Sequence, residues 1–452
     1  MRALIEINRR KLIFIATLAV LAFIFGYLNR NNELVLPSLY LQQYKRLGLQ
    51  LLNGGPYNVT YPLWGYPILI ALVGRIAIPQ MVDILLPVIQ LLVSYALILF
   101  FGWPLLNSRK MWFIFILFIP VFSFACFRAP DAWVMLSIML VFLCLRCWAI
   151  SGRWIWLLLA GGGAALGVNM RSELFFFFSM GLILSLIAFL FNKERILKCF
   201  FYFMTALFCG SLIGILGWTL NTYRLTGTPL FTSTNGGSVL YITLGQLPNN
   251  PWGRQNDDGE GTRFAKSQGI ENQYSLQGNR VLTAAALNDI RSYPLAFMRK
   301  VGRNFILALS GGVYTIYDWW TSHLPGTDKF QWIRLALSGD RYELIWAVGA
   351  TLKAFFRIVF LFICILTVWF GVRQWLFKDS KIESQMLAGF ILIYMIFTFA
   401  MVSMVQYEPR HLTALYALQV LFIAQVFVNE SAEKLSGVKL HRFFSLAKSL
   451  HQ

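Results

Sequence analysis

Long apolar stretches alternate with short polar breaks along nearly the whole chain. Reading each run between charged residues predicts spans near 12–28, 84–104, 111–126, 132–150, 154–170, 172–191, 199–219, 304–318, 352–372, 386–406 and 412–429. A helix needs about 20 apolar residues to cross a hydrocarbon core, and most of these runs approach that length. Two stretches depart from the pattern. Residues 38–53 are amphipathic, and 64–78 are apolar but only about half a turn longer than a buried core helix needs. Both are read as helices lying at a membrane interface.

Charge placement orients the spans. Arg2/Arg9/Arg10/Lys11, Arg109/Lys110, Arg153, Lys193/Arg195/Lys198 and Arg373/Lys378/Lys381 sit at run ends, where the positive-inside bias assigns them to the cytoplasm. Residues 29–83, 127–131, the turn at Asn169–Arg171 and the long segment 220–303 then face outward, with Lys45 and Arg75 on that outer face. If 64–78 crossed, every later basic cluster would be reversed. Parity fails near the end, because eleven spans leave the basic tail (Lys434, Lys439, Arg442, Lys448) on the wrong side. Either 304–318 dips without crossing or 344–372 contains an extra element. The resulting domain plan is a seven-span N-terminal module (1–219), a large outer loop (220–303), a C-terminal membrane module (304–429) and a cytoplasmic tail (430–452).

Composition agrees. Of 452 residues, 58% are hydrophobic and 13% charged, against about 25% charged in soluble domains. A soluble enzyme, a disordered chain and a disulfide-stapled secreted domain are excluded, leaving an all-α polytopic membrane protein. The net charge of +19 serves anionic headgroups rather than nucleic acid. The six cysteines all lie in or beside apolar runs and show no metal-ligand spacing.

The most distinctive polar stretch is Asn221–Gly245, NTYRLTGTPLFTSTNGGSVLYITLG. Gly227–Thr228–Pro229 signals a turn, and Ser233–Thr234–Asn235–Gly236–Gly237 forms a glycine-rich loop above a span. Such a loop offers backbone N–H groups to a phosphate or sugar, or is an ordinary hairpin. The stretch resembles the loop after the seventh span of bacterial polyprenyl-phosphate-dependent glycosyltransferases of the GT-C class. LGLQLLNGG (47–55), YPLWGYPILIAL (61–72), GGGAALGVNMRSE (161–173), the helix through Ile290–Pro294 and YEPRHL (407–412) are similar to further family segments in the same order.

The resemblance implies an inner-membrane enzyme of about ten or eleven spans with its active site facing the periplasm. Its donor would be a sugar on a polyprenyl phosphate, and its acceptor an envelope glycan or glycolipid such as lipopolysaccharide. Catalysis in the class is an inverting displacement in which a carboxylate of the first outer loop deprotonates the acceptor. Here the sequence departs from the family, because Tyr40 stands where an Asp is usual, one turn before Tyr44. Two acids are left as base candidates. Asp131 lies in the short turn Phe127–Asp131 and would also be the ligand of any divalent cation such as Mg or Mn; Glu33 follows the first span. A helix cap explains Asp131 equally well, as it does Asp83.

Arg128, Arg171 and Arg410, with His411, are the candidates for the lipid phosphate, the alternative being snorkelling to headgroups. Tyr40, Tyr44, Ser233, Thr234, Asn235, Gly236, Gly237 and Glu408 complete the expected substrate site. Glu173 reads as a partner of Arg171, and Asp257, Asp258 and Glu260 as solvated loop. Trp252, Trp319 and Trp320 suit sugar stacking or an interfacial belt. Two other functions stay open: an O-antigen ligase or polymerase, which works with Arg residues and no carboxylate base, and a lipid-linked saccharide flippase. The second predicts charged residues inside spans, where only Arg146, Lys353 and Arg357 occur.

Overall fold

The computed structural model describes residues 38–76, 81–102, 110–125, 129–191, 194–311, 341–376 and 381–434. Those residues are helical, with no strand among them. In chain order the helices are α1 (Ser38–Leu52), α2 (Gly65–Ile76), α3 (Val82–Gly102), α4 (Lys110–Ala125), α5 (Pro130–Ser151), α6 (Ile155–Met170), α7 (Glu173–Phe191) and α8 (Arg195–Thr226). They continue as α9 (Gly236–Thr243), α10 (Asp258–Ser267), α11 (Leu276–Ser292), α12 (Pro294–Gly311), α13 (Arg341–Leu376), α14 (Ile382–Met404) and α15 (Thr413–Lys434).

Five stretches are long and apolar enough to cross a bilayer: α5, α7, α8, Ala354–Trp375 within α13, and α14. This is the architecture of an α-helical membrane protein. The expected span 12–28 lies outside the described residues. The expected span 304–318 coincides in part with α12, which begins ten residues earlier and runs unbroken through position 304; residues 312–318 lie outside the described set.

Helix α2 has 12 residues, so it is about 18 Å long, well short of a hydrocarbon core of about 30 Å. It packs against α1, where a Cβ on Gly48 would come within 2.6 Å of Ile70 Cγ2. The two helices thus form a closely packed pair.

In the bundle α6 is packed between α5 and α8. The contact between α6 and α8 is made by backbone. A Cβ on Gly210 would overlap the carbonyl of Gly161, and one on Gly214 would lie 2.6 Å from Ala165 Cα. Small residues four apart on each helix allow this approach, which lipid rewards because tails are as apolar as the side chains they replace. The glycine run in α6 is therefore first a packing surface.

At the end of the bundle away from α9–α11, Arg146 of α5 donates through Nε to Glu383 Oε1 of α14 at 2.9 Å. Gln425 of α15 donates to the same oxygen at 2.9 Å. A charge within a span is costly unless paired, and here it is paired to a neighbouring helix.

Helices α9–α11 form a small separate core of Tyr241, Ile242, Leu244, Trp252, Leu282 and Ala286. Its polar centre is Arg254, whose guanidinium stacks 4.3 Å from the Tyr241 ring and reaches Asp289 at 3.1 Å. Gly227 takes φ 69° where α8 ends and the chain turns toward this unit, a left-handed conformation that favours glycine.

Candidate functional site

A pocket of about 490 Å³ opens where α1, the first residues of α5, the α6–α7 turn and the 405–412 turn converge. Its polar wall contains Asp131, Arg171, Glu173 and Arg410, with Ser172, Ser233 and Asn235; Tyr44, Tyr61, Leu63, Pro130 and Met170 complete it. Of the residues singled out from the sequence, it thus brings together Tyr44, Asp131, Arg171, Ser233, Asn235 and Arg410, whose positions span most of the chain.

Asp131 enters in the first turn of α5, behind Pro130, whose fixed φ suits that position. The side chain is buried, and its carboxylate accepts from Arg171 Nη1. Arg171 ends α6 with extended backbone, φ −146°, and its Nε pairs with Glu173 Oε1. Burial opposes the charge of Arg171, but Glu173 and Asp131 outweigh it and hold the guanidinium more firmly protonated than usual. One cation thus joins two carboxylates. Asp131 is 8% exposed and enclosed, whereas Glu173 is 31% exposed at the pocket wall.

The opposite wall comes from the 3-10 turn Pro409–Leu412. Arg410 pairs with Glu408, which also accepts from Gln406 Nε2. His411 stands behind them, its backbone N–H on Glu408 O at 3.1 Å and its Nε2 3.9 Å from Glu408 Oε2. Burial first, then Arg171 and Arg410, push its imidazole well below the usual value, so His411 is neutral. This turn is clamped from α12 and the segment before it. Gln246 uses both ends of its amide on the Tyr407 backbone, Nε2 to O at 3.1 Å and Oε1 from N at 3.2 Å. Asn304 donates to Gln246 Oε1 at 2.8 Å, and Lys300 Nζ to the carbonyls of Met404 and Val405 at 2.8 and 2.7 Å.

Other expected residues fall elsewhere. Thr234 is buried and knotted: its N–H and hydroxyl both reach Thr60 O at 3.1 Å, and its hydroxyl meets the Tyr274 carbonyl. It joins the two outer segments and does not line the pocket. Gly237 is pressed onto α11, where a Cβ would overlap the Asn279 carbonyl; at Gly236 the nearest atom is 3.9 Å away. Gly237 thus serves the seating of α9 on α11, and the pocket takes Ser233 and Asn235 from this loop. Glu408 and His411 support Arg410 from behind the wall. Tyr40 lies one turn before Tyr44 in α1. Glu33, Arg128, Trp319 and Trp320 lie outside the described residues.

Trp252 is buried in the outer unit with its Nε1 donating to Asp289 O at 2.7 Å, serving neither sugar stacking nor a belt. Glu260 pairs with Arg263 at 2.8 Å, and burial with Asp257 raises the Asp258 carboxyl. Arg357 donates to Gly311 O at 3.0 Å. No three His, Cys, Asp or Glu side chains cluster among the described residues as a metal would need. Asp131 already gives an oxygen to Arg171, so the residues present there do not fit a divalent ion.

Neither a protein-family model nor a curated protein sequence matches this chain. The geometry alone therefore has to carry the functional reading. Sequence reasoning left out Glu173 as a site residue, together with Tyr61 and Ser172. The available signal was the spacing Arg171–Ser172–Glu173 at the start of an apolar run, which puts an acid in the first turn of the helix that follows the Arg.

Proposed function

We propose that the protein is a membrane glycosyltransferase that takes a sugar from a polyprenyl phosphate at this pocket and passes it to a hydroxyl of an envelope glycan or glycolipid. The reading places the work at the periplasmic face of a bacterial inner membrane. The observation that carries it is the presence in one pocket at the helix ends of two guanidinium groups, Arg171 and Arg410, and a partly exposed carboxylate, Glu173, paired with the first of them.

In the displacement, the acceptor oxygen bonds to the anomeric carbon as the bond from that carbon to the phosphate oxygen breaks. The acceptor proton passes to a carboxylate, and the phosphate leaves as an anion. Arg171 and Arg410 meet that developing charge. A carboxylate held by a guanidinium stays ionised but is a weak base. Asp131 is enclosed with Arg171, so it acts as the residue that positions Arg171. Glu173, less enclosed, takes the proton. Ser233, Asn235 and Tyr44 offer hydroxyl and amide groups to the sugar.

That both pocket carboxylates already pair with Arg171 favours a second reading, a ligase-like transferase that works with arginines alone. Purified protein with a synthetic polyprenyl-phosphate sugar separates the two. Glu173→Gln is expected to lower turnover about 10²–10⁴-fold, the usual worth of a general base, with donor binding retained. Turnover at the parent rate would favour the ligase-like mechanism. Vectorial movement of the lipid without phosphate release would end both and leave a flippase.

A further inference from the structure

The pocket fixes a parity that the helix α12 must obey. Ser233, seven residues after the end of α8, and Arg410, six residues after the end of α14, line one pocket, so both lie on one side of the membrane. Among the described residues between them, two stretches are long and apolar enough to cross, Ala354–Trp375 and α14. Two crossings return the chain to the same side, and a third would not. Residues 312–340 carry Asp318, Asp328, Lys329, Arg334 and Asp340 and contain no apolar run of bilayer length.

The contacts of α12 agree. Lys300 binds the last carbonyls of α14, Met404 and Val405. Eleven residues further on, about 16 Å along a helix, Gly311 is pressed against the Tyr407 hydroxyl, in the same turn, and accepts from Arg357 near the start of the α13 crossing. Lys300 and Gly311 therefore both lie at the site-side edge of the bundle. One face, Lys300, Asn304 and Ala308 at four-residue spacing, is fully buried. Another, Leu295, Met298, Phe305 and Ile306, is 44–74% exposed, with Arg291 and Arg299 also exposed.

We propose that α12 lies on the site-side leaflet of the bilayer, with Leu295, Met298, Phe305 and Ile306 seated in lipid and Arg291 and Arg299 among anionic headgroups. Three features select lipid as the occupant. The crossing helices that α12 packs against expose apolar side chains of the same kind, among them Ile358 (71%) and Ile396 (67%). Two cations flank the α12 stripe, as anionic headgroups favour. Three basic residues, Arg299, Lys300 and Arg303, sit within 18 residues that would otherwise have to cross. The inference holds whatever reaction the pocket performs. With α12 lying on the surface, the expected spans fall from eleven to ten, and the basic tail returns to the side of the other basic clusters.

The test places a nitroxide label at Leu295→Cys, Met298→Cys, Ile306→Cys or Ser310→Cys, one per variant, in a background without other cysteines. Each variant is reconstituted in nanodiscs of mixed neutral and anionic lipid and checked for a monodisperse profile. Relaxation by oxygen and by a water-soluble nickel chelate reports depth. The expected result is a shallow, similar depth for 295, 298 and 306; in sealed vesicles the unlabelled Ser310→Cys thiol is expected to react with an impermeant reagent from the side on which Ser233→Cys reacts, and reaction from the opposite side would overturn the proposal. Depth increasing steadily from 295 to 310 would show a crossing and overturn the proposal. Full water exposure of 295, 298 and 306 would overturn it as well, returning the stripe to solvent or another protein. Arg291→Glu with Arg299→Glu is expected to move the Met298 label toward water in anionic discs but not in neutral ones; equal depth in both lipids would remove the headgroup part.

Discussion

Two regions of this chain hold their helices together by opposite means. Where α6 crosses α8, the helices meet through backbone, with Gly161 against Gly210 and Ala165 against Gly214. In the α9–α11 unit, aromatic rings surround Arg254, which is tied to Asp289 and Glu260. Lipid gives no reward for hiding an apolar side chain, so the first contact depends on close approach and dispersion. Water does reward it, so the second buries Trp252 and Tyr241 and satisfies the few polar atoms it encloses. A glycine-rich segment thus means packing in one region, whereas in the other it first suggests a ligand loop.

Breaking the first contact should cost most. Gly210→Val puts a branched side chain into the Gly161 carbonyl and is expected to lose about 3 kcal/mol, read as a lower melting temperature in detergent and a smaller monodisperse fraction. The opposing control is Gly162→Ala. A Cβ there meets nothing within 4 Å, and the change is expected to be neutral or to stabilise by about 0.5 kcal/mol. Equal losses for both would show that glycine count, not close approach, matters in α6.

In the outer unit, Arg254→Met keeps the apolar stem and removes the charge. The ion pairs are partly exposed and screened, so about 1–2 kcal/mol is expected, mostly from the stacked cation over Tyr241. Because nothing in α6–α8 depends on Arg254, proteolysis should increase within 236–292 and leave the bundle intact. Loss of the whole fold would mean that the two regions are not independent.

The smallest effect lies at the turn between them. His411 is held neutral, its pKa below the unfolded value. Between those two values the unfolded chain binds the extra proton, so stability present above about pH 6.5 is lost as pH falls below it. His411→Asn is expected to flatten the fall in melting temperature between pH 7 and 5; an unchanged slope would move its origin to another group.

The legible parts of this fold were those governed by local chain pattern. The crossing helices announce themselves because a bilayer demands continuous apolar length, and the shorter helices α1 and α2 show in the same local run of apolar and polar positions. What stayed hidden depends on partners far away in sequence. Thr234 and Gly237 read as ligand-loop residues because Thr60 and Asn279, which occupy them, are 174 and 42 residues away. Trp252 read as a sugar-stacking or belt residue for the same reason, its partner Asp289 lying 37 residues on. Asp131, Arg171 and Arg410 were visible because each stands at the edge of a span, where a charge is conspicuous. Glu173 was visible too, but its pairing with Arg171 looked complete and hid its place on the wall.

The knot of Thr60, Thr234 and Tyr274 imposes an order on biogenesis. Its three strands of chain emerge from the ribosome well apart, and Arg410 arrives later than all of them. During synthesis the early helices must form and wait, with Thr60 lacking its partners until residues 234 and 274 have been made. The charged wall stays open until the 405–412 turn arrives. A chain stalled before that point lacks Arg410 and so has an incomplete pocket wall.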